Sequence, residues 1–403
     1  MSFPMSHAER RAAAQGGAGA VTRHRIVQAM KLAIDRAALL KALSHVQSVV
    51  ERRNTIPILS NVLLMGRDGR LEVTATDMDL ELVETVDAHV GAEGGTTVPA
   101  HLAHDIVRKL PEGAEVALET AGDGGRITIR CGRSRFALPC LPTDDFPVMA
   151  DGDFDHEFAL PVDVVRRMID RTRFAISTEE TRYYLNGVYL HTRAADQVLC
   201  AVATDGHRLA RFDTAMPDGA AGIPGVIVPR KAVLELRKLA DDADGAVTIG
   251  VSRTKIRFAL GRVVLTSKLI DGTFPEYERV IPTQNDKIMA VDGKRFSEAV
   301  DRVATISTER SRTVKMALES GKDGGRLRLS ANSPDSGSAA EELDVTYDGP
   351  AIEIGFNARY LLDMTERTDG AAIEFAMADA AAPTLMRDLG DPATLYVLMP
   401  MRV

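Results

Sequence analysis

Three stretches of the 403-residue chain open alike: MKLAIDRAALLKALSHVQSVV at 30–50, HEFALPVDVVRRMIDRTRFAIS at 156–177 and KIMAVDGKRFSEAVDRVATIS at 287–307. In each, a short strand-like run leads into a segment whose apolar residues recur at helical spacing. They are Leu39, Leu40, Leu43 and Val46 in the first, Val164, Val165, Met168 and Ile169 in the second, and Phe296, Val300 and Val303 in the third. A second set follows at TTVPAHLAHDIVRKL (96–110), VIVPRKAVLELRKL (226–239) and EIGFNARYLLDMTER (353–367), each a strand turning into a helix. Their matching residues Val98, Val228 and Gly355 are 130 and 127 positions apart, and Asp145-Phe146-Pro147 returns 128 positions later as Thr273-Phe274-Pro275. Between the helices run alternating strands such as Leu71–Val73–Ala75 and Met78–Leu80–Leu82, bounded by turns at Arg67-Asp68-Gly69 and Asp123-Gly124-Gly125.

The pattern predicts an α+β protein of three similar domains, 30–153, 154–286 and 287–403, each made of two strand–helix–multistrand halves. A repeat this long is a duplicated domain; solenoid units span only about 20–50 residues. Residues 1–29 are Ala/Gly-rich, carry Arg10, Arg11, Arg23 and Arg25, and show no apolar periodicity. They read as a disordered extension or the result of an upstream start, because Met30 opens the patterned segment; a basic DNA-tethering arm is the lesser reading. They lack the apolar core of a secretory signal. With 45% hydrophobic residues each domain can bury an ordinary core, and no apolar run reaches the roughly 18 residues of a membrane span. The three cysteines are too scattered for a disulfide framework or zinc cage and read as free thiols of a cytoplasmic protein. Aromatic residues at 5%, with no Trp, argue against a large aromatic-lined ligand pocket, and no cofactor or metal is expected.

Net charge −8 looks wrong for a nucleic-acid binder until it is partitioned. The helical stretches 31–53, 100–110, 162–177, 230–239, 294–302 and 357–367 carry +3, +1, +2, +3, +1 and 0, together +10, so the remainder carries −18. On one shared surface those helices would attract phosphate in a sequence-blind, salt-dependent way. The bland alternative is that Lys and Arg, good helix formers, decorate solvated faces.

Asp205 and His207 in ATDGHRL (203–209) invite a catalytic or metal reading, but no further ligand stands at suitable spacing; an Asp-Gly turn ending a strand is simpler. No nucleophile elbow, phosphate-binding loop or paired-carboxylate motif is present, so no enzyme is expected. The adjacent tyrosines of RYYLNG (182–187) fit half-buried cross-strand packing or exposed platforms for bases, and spacing alone favours packing. The apolar terminus LYVLMPMRV (395–403) reads as a last buried strand; its adaptable Met-Pro-Met end suits a peptide-binding groove.

Taken together, RYYLNG (182–187), TDGHRLA (204–210), VIVPRKAV (226–233), TSKLIDGTFPEYERVIP (266–282) and MPMRV (399–403) resemble the bacterial DNA polymerase sliding clamp, the beta subunit of the replicative polymerase; the match runs in order from Met30 to Val403. The resemblance implies a non-catalytic processivity factor: a head-to-tail homodimeric ring around double-stranded DNA, with helices lining the ring and sheets outside. It also implies partners that dock by short peptide motifs, namely the polymerase catalytic subunit, the clamp loader, and other polymerases and repair proteins. A non-ring DNA-binding scaffold is the alternative. Arg53, Tyr183 and Tyr184 match family DNA contacts, joined by His101 and Glu179, where the family pattern has Arg and Gln. The implied partner groove takes Arg182, Leu185, Thr204, Gly206, His207, Arg208, Leu209, Pro275 and Val280 from domain two. Domain three would add Asn357, Tyr360 and the terminal Val397, Leu398, Met399, Pro400, Met401 and Arg402. At the ring joint, Phe136 and Leu138 of one copy would meet Thr305 and Ile306 of the other, with Thr305 in an aliphatic position.

Overall fold

The computed structural model describes residues 29–402 apart from 122–123, 151, 308–311, 322–323, 335 and 370–371; the N-terminal extension up to residue 28 lies outside the described residues. Its helices are α1 (Arg36–Gln47), α2 (Ala100–Arg108), α3 (Val162–Thr172), α4 (Arg230–Asp241), α5 (Gly293–Ala304) and α6 (Ala358–Thr365). Each leaves a strand directly. Asp35, Asp292 and Asn357 start α1, α5 and α6 by accepting the backbone N–H of Ala38, Arg295 and Arg359. Pro99, Pro161 and Pro229 start α2, α3 and α4, their ring-locked φ already near helical values.

The strands form sheets of five, eight and twelve, and the two larger sheets run across domain boundaries. Strand Val263–Lys268 pairs antiparallel with Leu80–Asp87 of the preceding domain, Leu265 opposite Leu82. Strand Asp391–Leu398 pairs in the same way with Arg208–Ala215, Tyr396 opposite Ala210. Neighbouring domains are therefore fused edge to edge, each edge satisfying backbone groups the other would leave open. The corresponding strands of the first and third domains have no such partner among the described residues. Ser134–Pro139 borders the five-stranded sheet, and Gly337–Tyr347 meets Lys287–Asp292 only at Thr346 and Tyr347.

Alternate residues along these strands bury on opposite faces. Ala201, Ala203, Ala210, Phe212, Tyr396 and Leu398 join the main core, and Cys200, Val202, Leu209, Leu395 and Val397 join a second, smaller apolar cluster. The helices pack in pairs, α1 with α2, α3 with α4 and α5 with α6. Across the first joint Lys231 of α4 donates to the Val49 carbonyl at 3.0 Å and pairs with Asp77, and Ser48 donates to Glu235. Across the second, Arg171 of α3 pairs with Asp369 just beyond α6 and, at 3.2 Å, with Asp391. These contacts set the six helices in the row α2–α1–α4–α3–α6–α5, so the basic stretches of the sequence share one side of the sheets. Among the described residues no helix is long and apolar enough to cross a membrane.

Met78 departs from expectation: it sits in a turn at φ 77°, and the strand begins at Leu80. The Asp77 carboxylate accepts the N–H groups of Asp79 and Leu80 at 2.9 and 2.7 Å, closing a turn that outcompetes the strand ladder.

His45 bridges the first joint, with Nδ1 2.8 Å from Glu84 and Nε2 2.9 Å from Asp242. Burial works to lower its pKa, but the hydrogen bonds and charges of the two carboxylates raise it on balance. A raised folded-state pKa means that the stabilisation is complete below the unfolded value of about 6.5 and fades as pH rises through the folded value. We expect His45→Gln to unfold more easily than the parent by about 1–2 kcal/mol at pH 6, with the gap in urea midpoint narrowing as pH rises.

Candidate functional site

An apolar cavity lies on the second cluster, where domains two and three join. Strand Val198–Thr204 runs into the turn Asp205-Gly206-His207, with Gly206 at φ 88°, where an L side chain is strained. Asp205 Oδ1 accepts the N–H groups of His207 and Arg208 at 2.9 and 3.0 Å, and the Thr204 hydroxyl donates to the Arg208 carbonyl at 2.7 Å. This carboxylate is spent on a turn, and no group of three metal ligands occurs among the described residues.

Arg208 leaves that turn inward and is 8% exposed. Its guanidinium pairs with Asp205 at 3.1 Å and Asp363 of α6 at 2.5 Å, donates to the Phe174 carbonyl at 2.6 Å, and lies over the Tyr360 ring at 4.3 Å. A buried charge with this many partners bolts the two domains together; losing both carboxylates would leave it unpaired at a cost of about 3–5 kcal/mol.

Above it opens a cavity of about 210 Å³ lined by Leu185, Thr204, Gly206, Arg208, Leu209, Pro275, Val280, Val397 and Met399. Glu276 and Tyr277 also line it. Neither is among the expected residues, although both stand inside the quoted TSKLIDGTFPEYERVIP, directly after the repeated Phe-Pro. His207, Asn357 and Tyr360 line an adjoining polar cavity of about 380 Å³ that shares Arg208 and adds Arg173, Arg230, Arg312 and Arg359. Arg182 stands at the rim, 2.8 Å from Glu179 and 3.4 Å from the Asp205 carbonyl. Leu398 is a correction: it is 1% exposed and belongs to the main core, because strand alternation turns it away from the side that Val397 faces. Beyond it the tail is a strap. The Met399 N–H donates to the His207 carbonyl at 2.9 Å and the Met401 N–H to the Gly355 carbonyl at 2.8 Å, with Pro400 between them and Arg402 exposed at the end.

The residues expected at nucleic acid stand in two places. Arg53 is exposed in the loop after α1, and His101 in the first turn of α2 is held 3.1 Å from the Val50 carbonyl. In domain two, residues Glu180–Leu185 form a short 3-10 turn rather than a strand, so cross-strand packing of the tyrosines does not occur. They part company instead: Tyr184 packs against the groove's apolar cluster and Tyr183 is 53% exposed, their rings edge-on at 5.8 Å. Phe136 and Leu138 lie on the free edge Ser134–Pro139, Leu138 buried and Phe136 half-buried, while Thr305 and Ile306 follow α5 in domain three. Phe136 and Leu138 thus lie in the first domain and Thr305 and Ile306 in the third.

Family models for the DNA polymerase III beta subunit match the whole patterned chain: the N-terminal domain at 30–150, the central domain at 159–276 and the C-terminal domain at 278–402. The chain is 55% identical over 376 residues to the beta sliding clamp of Caulobacter vibrioides and 40% identical over 377 residues to that of Escherichia coli K12, covering 93% of this chain and 100% of each relative. Among solved structures, it is similar to a DnaN sliding clamp from Bartonella birtlesii bound to griselimycin (TM-score 0.90, 50% identity, covering 93% of this chain and 100% of that one). It is equally similar to the Caulobacter crescentus beta sliding clamp with polyethylene glycol bound to a putative beta-motif tethering region (TM-score 0.90, 55% identity, covering 93% and 99%).

Proposed function

The chain belongs to the bacterial DNA polymerase III beta subunit family, the beta sliding clamps, and we propose that it works as a head-to-tail ring of two copies around duplex DNA. As a sliding clamp it confers processivity on DNA polymerase III and is a non-catalytic subunit with DNA and polymerase as partners. The observation that carries the ring reading is the reuse of one joint. Within the chain, the last strand of one hairpin twice meets an edge strand of the preceding domain. Strands Ser134–Pro139 and Gly337–Tyr347 are the same two kinds of strand, here without a counterpart domain.

Their chemistry supports joining unlike ends. The hairpin 126–139 carries Arg126, Arg130, Arg133 and Arg135 and no acid; strand 337–347 carries Glu341, Glu342 and Asp344 and no base. Head-to-tail pairing brings opposite charges together, whereas an isologous joint would set like charges face to face. Phe136, Leu138 and Ile306 would supply apolar contact there, with Thr305 beside them. Two such joints close six similar domains into a circle with twelve helices inside, where Arg53, Tyr183 and their neighbours read as backbone contacts to DNA. The apolar groove with its polar extension suits short, exchangeable peptides from the catalytic subunit, the clamp loader, other polymerases and repair proteins. The cytoplasm is the compartment this reading requires.

The test is topological. Loaded onto nicked circular DNA, the protein should stay bound in high salt and run off when the circle is cut; equal retention on linear DNA would sink the ring reading. Without loading, DNA affinity should fall steeply with salt, and Arg53→Glu should reduce the slope by about one counterion while leaving the thermal midpoint unchanged.

A further inference from the structure

Tyr277 reaches the groove from the linker, the segment 269–286 that leads from strand Val263–Lys268 to strand Lys287–Asp292, and its hydroxyl turns inward to lie 3.0 Å from His191 Nε2 and 3.5 Å from Cys200 Sγ. His191 stacks on Tyr189 at 4.7 Å, Tyr189 stacks on Phe274 at 4.8 Å, and Phe274 meets Tyr277 edge-on at 6.5 Å. These four rings press the linker onto strand Gly187–Arg193, and the same linker contributes Pro275, Glu276, Tyr277 and Val280 to the groove. One wall of the groove thus stands where this stack puts it. Of the four rings, only the imidazole changes charge near neutral pH.

We propose that His191 is a positioning residue for the groove: it holds the Tyr277 wall by accepting the tyrosine hydroxyl's hydrogen bond, and its protonation loosens that wall and weakens peptide binding. The inference rests on reading the groove as the peptide site. His191 Nδ1 faces the Thr192 carbonyl at 3.4 Å, a group that can only accept, so Nδ1 carries the ring proton and Nε2 is left to accept from Tyr277. A second proton turns Nε2 into a donor. The Tyr277 hydroxyl must then send its own hydrogen to Cys200 Sγ, a weak acceptor.

The surroundings oppose that second proton. Burial lowers the His191 pKa foremost and Arg193 on the same strand adds to this, while the Thr192 carbonyl, Glu278 on the linker and Asp213 on the far strand pull the other way. Arg193 and Arg211 both pair with Asp213, at 2.9 and 3.1 Å, which blunts its attraction. Cys200, directly across the strand ladder, has its thiol pushed up to about 12 and stays neutral. A base with a lowered folded-state pKa contributes stability that is present above its unfolded value of about 6.5 and lost as pH falls below it. His191 therefore works in the opposite sense to His45.

The experiment measures binding of a fluorescein-labelled hexapeptide carrying one Gln, two Leu and a Phe between pH 8 and pH 5, with thermal midpoint and two-chain mass followed in parallel. Wild-type protein should lose about five- to tenfold in affinity as the imidazole protonates. His191→Gln, which keeps an acceptor and cannot titrate, should bind as wild type does at pH 8 and keep its affinity at pH 5. His191→Phe, which keeps the stack but not the acceptor, should bind about five- to tenfold more weakly at every pH. Wild-type affinity in His191→Phe, or an equal acid loss in His191→Gln, would overturn the proposal. A separate arm needs no peptide: Tyr277 ring signals in the NMR spectrum should follow the His191 titration. If the peptide fails to bind wild type or ignores Leu209→Ala, the groove reading falls, and this arm alone decides whether His191 sets Tyr277; independence of the two titrations would refute it.

Discussion

Deleting residues 399–403 should lower affinity for a Gln/Leu/Phe-containing peptide by at least about tenfold while the two-chain mass is unchanged. Met399 lines the apolar cavity directly. The tail's two backbone bonds, Met399 to the His207 carbonyl and Met401 to the Gly355 carbonyl, also tie the domain-two turn to an edge strand of domain three. Deletion removes one wall and frees the turn that carries Gly206 and His207. The strand pairing of Asp391–Leu398 with Arg208–Ala215 and the Arg208–Asp363 bolt remain, so the fold should persist. The residues assigned to the ring joint, Phe136, Leu138, Thr305 and Ile306, are not among those deleted. Fluorescence anisotropy for the peptide and light scattering for the mass give the two readouts; unchanged affinity in an intact dimer would place the peptide site elsewhere.

Reversing the charge of one ring edge should have a larger effect. Arg133 and Arg135 are exposed on the edge hairpin, and Glu342 and Asp344 are exposed on the opposite edge, while Glu341 is already held by Arg302 at 2.7 Å. The double substitution Arg133→Glu/Arg135→Glu replaces attraction by repulsion at both joints of a two-copy ring. At about 1.5 kcal/mol or more for each close charge pair, dimer affinity should fall at least a hundredfold and the protein should run as a monomer at micromolar concentration. The same chain carrying Glu342→Arg and Asp344→Arg as well should dimerise again, which separates a charge effect from misfolding. A double variant that keeps its dimer mass would exclude this edge from the joint.

The threefold repeat is legible because its signals are local. Helical periodicity in Leu39, Leu43 and Val46 and strand-to-helix turns at Pro99, Pro161 and Pro229 depend on neighbours a few residues away. Met78 shows the limit of such patterns, since one Asp side chain three atoms long captures the backbone that alternation assigns to a strand. The tyrosine pair shows another limit: Tyr183 and Tyr184 are adjacent, yet a 3-10 turn sends one into the apolar cluster and the other to solvent.

What the amino-acid order determined by itself is the set of three α+β units, the basic character of the helical stretches and the Asp205-Gly206 turn, all properties of contiguous segments. Tertiary structure decided the groove. Leu185, Leu209, Tyr277 and Val397 are scattered over more than two hundred positions and meet only because an edge strand of domain three pairs with an edge strand of domain two in one register. In that register Leu209 lies opposite Val397, so both face the groove, while Leu398 faces the core; a slip of one residue would exchange them. Register between strands so distant in sequence is set by the packing of both faces at once, and no local pattern encodes it.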